Sequence, residues 1–189
     1  MLENYKIILG SQSPRRQELL KGLDIDFEVK KIDVEETYPP DLQIDKVPEY
    51  LAKQKSDAYK SFLDENTILI TADTIVVLDN QAFGKPKDYS DAFLMLKKLA
   101  GKTHEVITGV CITTKQRQEV FSVVTKVTFS PLSDDEIGYY LTKYAPYDKA
   151  GSYGIQEWVG FVGVEKIEGS FYNVMGLPIQ KIYQELKKF

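Results

Sequence analysis

The feature that most constrains the fold is Thr67-Ile68-Leu69-Ile70-Thr71, a run that is apolar at every position between two threonines. A strand that alternates can leave one face in water, but a continuous apolar one must be covered on both faces. The run therefore predicts a buried strand that ends in Ala72-Asp73-Thr74, after which Ile75-Val76-Val77-Leu78 continues as strand. Asp73 is the foremost candidate for chemistry. A carboxylate ending an apolar strand is costly to desolvate unless it is paired, hydrogen-bonded or bound to metal. Strand ends are also where open α/β sheets place ligands. The competing reading of Asp73 is a carboxylate that caps a neighbouring turn.

A second feature lies near the start of the chain. Tyr5-Lys6-Ile7-Ile8-Leu9 reads as a strand and Gln17 to Gly22 as a short helix, with Ser11-Gln12-Ser13-Pro14-Arg15-Arg16 between them. Ser13 suits an N-cap, and Pro14 suits the first helical position, where its missing N–H has no partner to lose. Two arginines in a first turn oppose the helix dipole at a cost of roughly 0.3–1 kcal/mol each. An anion in front of them, phosphate above all, would account for them. A solvated basic turn is the alternative.

Further along, Phe27 to Ile32 alternates as a strand does, and Asp33 to Pro40 forms an acidic loop containing Glu35 and Glu36. Val47 to Phe62 is helical in pattern, and its Lys53 and Lys55 point roughly 200° apart. Ser90 is the expected cap of a helix over Asp91–Ala100. Strands are expected over His104–Thr114 and Glu119–Phe129, joined by a polar turn. Ser133-Asp134-Asp135-Glu136 is a capping box that opens a helix to about Tyr144. Tyr147–Gln156 and Gly169–Pro178 read as glycine-bearing loops, Trp158–Ile167 as a short strand or pair, and Ile179 onward as a closing helix. Mixed helices and strands of this kind predict an α/β or α+β fold around a mixed sheet.

Composition narrows the function. The 189 residues carry a net charge of −4, which argues against general nucleic-acid binding, so an anionic substrate must meet a local basic cluster. One cysteine excludes an intramolecular disulfide, and Cys111 in its apolar strand reads as a small core residue. One histidine, His104, with no G-x-S-x-G elbow, reads as structural. With one of each, a thiolate or imidazole zinc site fails on ligand count. No P-loop is present. No apolar run approaches transmembrane length and no leader pattern opens the sequence, so a cytoplasmic protein without a membrane partner is expected. Glu35, Glu36 and Asp73 together offer hard oxygen ligands for Mg²⁺ or Mn²⁺, which bind through one or two carboxylates plus substrate phosphates. Lys55 and Lys85 are available to neutralise phosphate charge, and Tyr153, in the glycine loop, to touch a base.

Taken in order, Ser11-x-Ser13-Pro14-Arg15-Arg16, Glu36, Lys55, Thr71-Ala72-Asp73-Thr74, Gly84-Lys85-Pro86, Gly151 to Gln156 and Gly169-Ser170-x-x-Asn173-Val174-x-Gly176-Leu177-Pro178 resemble the Maf family. Its members are nucleoside triphosphate pyrophosphatases, also described as septum-formation inhibitors. The resemblance spans essentially the whole chain as a single domain, 1–189. It implies a two-lobed mixed α/β fold similar to inosine triphosphate pyrophosphatases, with a nucleotide cleft between the lobes. It also implies cleavage of a nucleoside triphosphate to the monophosphate and pyrophosphate with a divalent cation. By the same resemblance Asp73 is the proton acceptor and Glu36 the acid near the metal. Ser11 belongs to the substrate-binding set, and Arg16, Lys55 and Lys85 match phosphate-binding positions. Arg15, Thr74 and Gln156 match the subgroup that acts on dTTP and UTP rather than on 7-methyl-GTP. A Gln amide can pair both a donor and an acceptor on a uracil or thymine edge. A homodimer is compatible with the resemblance. The rival functions are a pyrophosphatase for damaged purine nucleotides and a non-enzymatic, nucleotide-binding regulator of division.

Overall fold

A computed structural model describes residues 4–189. It bears out a mixed α/β architecture: one seven-stranded sheet, partly parallel and partly antiparallel, accompanied by helices. The strands are β1 (Lys6–Leu9), β2 (Glu28–Val29), β3 (Thr67–Leu78), β4 (Gln81–Phe83), β5 (Thr103–Thr113), β6 (Gln118–Phe129) and β7 (Val164–Glu168). They lie in the order β2-β1-β3-β5-β6-β7, with β4 beside β3. β1 runs parallel to both β2 and β3, whereas β4 is antiparallel to β3 and β7 antiparallel to β6. The helices are α1 (Pro14–Lys21), α2 (Val47–Tyr59), α3 (Tyr89–Leu99), α4 (Asp134–Tyr144), α5 (Trp158–Gly163), α6 (Phe171–Met175) and α7 (Ile179–Leu186).

The continuous apolar run is the buried strand it promised to be. Ile68, Leu69 and Ile70 are fully buried in β3, and Asp73 sits inside the strand with 9% exposure. Two compact units divide the chain. The first comprises residues up to 73 together with 108–123 and 176–189; the second comprises 74–107 and 124–175. In the first unit Ile8, Leu63 and Leu69 form a small core flanked by Ile32 and Tyr59. The second has a larger core, in which Leu96 and Leu99 of α3 and Ile137 and Tyr140 of α4 meet Val106, Val127 and Phe129. Ile179, Ile182 and Leu186 are buried on one face of α7, as their helical spacing requires.

Several sequence expectations are corrected. Trp158–Gly163 is a helical segment, and strand begins only at Val164. Gly160 permits this, because a Cβ there would stand 1.7 Å from the Ile155 carbonyl oxygen. The strand expected over Phe27–Ile32 is paired only at Glu28–Val29. The cap of α3 is Asp88, whose carboxylate accepts from the Asp91 N–H, rather than Ser90. Ser13 has the extended backbone of a cap but its side chain makes no capping bond. The second glycine-bearing loop contains the short helix α6. The Ser133–Glu136 capping box is complete.

Candidate active site

In the first unit, α2 presents Lys55 to the acidic residues. Val47, Pro48, Leu51, Ala52, Lys55 and Ser56 are its buried positions, so Lys55 occupies a stripe that otherwise holds apolar or small side chains. Lys53, on the opposite side, pairs with Asp57 at the surface. A buried ammonium is tolerated only when paired. Lys55 Nζ lies 2.8 Å from Asp73 Oδ1 and 3.0 Å from Glu36 Oε1. Lys55 and Asp73 are nearly enclosed, with side-chain exposures of 11% and 12%, whereas Glu36 is 47% exposed. The geometry selects Glu36 over Glu35 as the acid that joins Asp73.

The aim of Lys55 is set by how α2 is seated. The Thr71 hydroxyl donates to the Ala52 carbonyl at 2.7 Å, and the Ser56 and Thr113 hydroxyls bond at 2.6 Å. Gly109 of β5 admits the helix start, since a Cβ there would fall 2.2 Å from the Pro48 carbonyl carbon. The seating roles of these threonines and the glycine escaped sequence reasoning. Their only signal is small or hydroxylated residues inside otherwise aliphatic strands.

Arg16 is tied into the first unit by its own hydrogen bonds. Its Nε donates to the Gly176 carbonyl at 2.8 Å, and its Nη1 donates to the Ala72 carbonyl at 2.8 Å and to Ser11 Oγ at 3.5 Å. Carbonyl and hydroxyl oxygens, rather than an anion alone, compensate the cation in the first turn of α1. Burial lowers the Arg16 pKa, and the charge of Asp73 works in the opposite direction. The contact to Ala72 ties α1 to the residue immediately before Asp73. Arg15 stands beside it, partly exposed on α1.

Thr74, Lys85 and Gln156 belong to the second unit. Thr74 is half-buried on β3, and Lys85 is exposed in the loop after β4. Gln156 follows the Gly151–Ile155 segment, and its Oε1 is buried with no hydrogen-bond partner. Tyr153 is a core residue, 5% exposed, with its hydroxyl 2.7 Å from His104 Nε2, which removes it as a base contact. His104 is structural, as read from the sequence, and Cys111 is fully buried.

Among the described residues no three His, Cys, Asp or Glu side chains cluster as a metal cage. Glu36 and Asp73 nevertheless share one ammonium, that of Lys55. Two hard carboxylates fit a Mg²⁺-type ion that takes its remaining ligands from substrate phosphates and water, and do not fit a site complete in protein ligands.

The fold is thus a mixed α/β sheet whose first unit encloses a Lys55–Asp73 ion pair with Glu36 beside it. The chain resembles the Ham1 protein of Staphylococcus aureus in fold, with a TM-score of 0.57 over 97% of this chain and 98% of that one at 16% identity. It belongs to the Maf-like protein family, whose model matches residues 6–189. It is 58% identical over 188 residues to a dTTP/UTP pyrophosphatase of Phocaeicola vulgatus, covering 99% of this chain and 97% of that protein. A protein of the same name from Porphyromonas gingivalis is 56% identical over 191 residues, covering 100% and 96%. Another, from Parabacteroides distasonis, is 56% identical over 193 residues and covers 100% of both.

Proposed function

We propose that this chain hydrolyses dTTP and UTP to the nucleoside monophosphate and pyrophosphate, clearing these or modified pyrimidine nucleotides from the pool. The observation that carries the reading is the enclosed Lys55–Asp73 pair with Glu36 at its mouth, together with full-length relatives bearing that activity as their name. In this reading Asp73 Oδ1 stays with Lys55 while Oδ2 takes a proton from the attacking water. The water oxygen bonds to the α-phosphorus, the bond to the bridging α–β oxygen breaks, and pyrophosphate leaves with the electron pair. Arg15, Arg16, Lys55 and Lys85 hold the triphosphate, Ser11 steadies Arg16, and Thr74 and Gln156 select the base. Positioning and charge neutralisation supply most of phosphoryl-transfer catalysis. Glu36 and Asp73 would hold a Mg²⁺ or Mn²⁺ ion, which when bound neutralises phosphate charge. The same reading places the enzyme in the cytoplasm, and the net charge of −4 fits a small nucleotide rather than nucleic acid as partner.

The test is pyrophosphate release from a panel of canonical and modified nucleoside triphosphates with either metal. Asp73→Asn, isosteric but unable to take the proton, is expected to lose at least about a thousandfold in kcat. Selective turnover of dTTP and UTP, lost in Asp73→Asn, supports the reading. Full activity of the variant refutes the role of Asp73, and turnover of damaged purine nucleotides instead refutes the substrate assignment.

A further inference from the structure

The segment leading to Gln156 is fixed at both peptide groups of Gly154. The Gly154 N–H donates to the Tyr140 hydroxyl oxygen at 2.9 Å, and its carbonyl accepts from the Glu157 N–H at 2.9 Å. The Tyr140 hydroxyl in turn donates to Glu157 Oε2. Lys149 Nζ closes the chain, 3.1 Å from Glu157 Oε1 and 2.9 Å from Asp148 Oδ1. Tyr140 is fully buried, and both Lys149 and the Glu157 carboxylate lie largely out of solvent. Burial and the Glu157 carboxylate push the Tyr140 pKa upward, so the hydroxyl remains a donor. Gly154 is enclosed as well: a Cβ there would meet Glu157 Cδ at 2.9 Å and Lys149 Cε at 3.0 Å. Two residues beyond this locked peptide, Gln156 Oε1 is buried and unpartnered.

A buried acceptor without a donor prefers a ligand that supplies one. Uracil and thymine carry a donor at N3, whereas cytosine carries a lone pair there. An amide held in place rejects cytosine; an amide on a loose segment can retreat or turn over to present its NH₂ instead. Discrimination therefore needs a rigid segment, while turnover at the phosphates does not.

We infer that Tyr140 and Glu157 are positioning residues that hold the Gln156 amide in register and thereby enforce the preference for uracil and thymine nucleotides over cytosine nucleotides. The inference rests on Gln156 being the base-reading residue. Tyr140→Phe keeps the ring but leaves the Gly154 N–H and Glu157 Oε2 without their partner.

The experiment measures kcat and KM for UTP and CTP in the wild type, Tyr140→Phe, Glu157→Ala, Glu157→Gln and Gln156→Ala. One neutral hydrogen bond is worth about tenfold in an equilibrium constant. Base contacts distant from the α-phosphorus are lost equally from ground and transition states, so the loss appears in KM. Tyr140→Phe and Glu157→Ala are expected to raise KM for UTP about tenfold with kcat within about twofold, and to lower the UTP-to-CTP ratio of kcat/KM about tenfold. Glu157→Gln, which still accepts from Tyr140, is expected to retain most of the ratio. If Gln156→Ala changes the ratio while Tyr140→Phe leaves it intact, the positioning role is overturned and base reading by Gln156 stands. If Gln156→Ala itself leaves the ratio intact, base reading fails and the inference falls with it. A fall in kcat equal for both nucleotides in Tyr140→Phe, with the ratio unchanged, marks a merely structural tyrosine and also overturns the inference.

Discussion

His104 makes the fold acid-sensitive in a way that can be calculated. Its ring is 1% exposed, with Nε2 on the Tyr153 hydroxyl and Nδ1 buried without a partner. Phe129 and Tyr153 stand edge-on to it at centroid distances of 5.0 and 5.5 Å. A second ring proton has no acceptor there, and burial lowers the pKa from 6.5 to about 4. In the unfolded chain the imidazole takes up its proton near pH 6.5; in the folded chain it does so only near 4. The unfolded state thus binds more protons across that window, and stability falls as the pH falls through it. At about 1.4 kcal/mol per pH unit, the loss is about 2 kcal/mol at pH 5 and about 3 kcal/mol once the pH has dropped below 4. Urea unfolding at pH 8 and pH 5 measures it, followed by the fluorescence of Trp158, the only tryptophan and a neighbour of the same core. His104→Phe is less stable at pH 8, because the Tyr153 hydroxyl loses its partner, but is expected to lose about 2 kcal/mol less than the wild type on moving to pH 5. Carboxylates common to both proteins cancel in that difference. Equal losses in the two proteins would refute the reasoning.

Three further outcomes are expected. Lys55→Met removes the ammonium that the Asp73 and Glu36 carboxylates share; the variant should be destabilised by about 2–4 kcal/mol at pH 8, read from the urea unfolding midpoints of variant and wild type. Gly109→Ala drives a methyl group into the Pro48 carbonyl and should cost about 1–3 kcal/mol while lowering kcat, because α2 carries Lys55 with it; unfolding midpoints and pyrophosphate release together check this. Ser133→Ala removes one half of the capping box and should cost about 1 kcal/mol in urea unfolding with pyrophosphate release unchanged.

What the sequence disclosed follows from how far each determinant reaches along the chain. The buried strand β3, the capping box of α4 and the apolar face of α7 are written in residues a few positions apart, and each appears in the structure. Asp73 was legible as a candidate because it sets a charge on an apolar background, whereas Lys55 was marked only as a cation available to phosphate and by the family resemblance. The Trp158–Ile167 stretch misled because six helical residues show too little period to distinguish helix from strand, and what permits the turn at Gly160 is a carbonyl five residues earlier. Tyr153 misled for a related reason: a glycine loop suggests exposure, whereas this one folds its aromatic ring under His104. The backbone partners of Arg16 were beyond reach, since the Ala72 and Gly176 carbonyls lie 56 and 160 residues away.

That last separation bears on when the protein becomes competent during its synthesis. Gly176, which accepts from Arg16, and the buried face of α7 both belong to the first compact unit. Chains are made at about 5–20 residues per second, so α1 waits on the order of 10 s or more for its last partner to be translated. The second unit closes with residue 175 and can assemble earlier. Until the residues after 175 emerge, Arg16 lacks its Gly176 acceptor. A ribosome stalled with residue 175 just outside its exit would display a nascent chain with every residue of the second unit and a first unit still lacking Gly176 and α7.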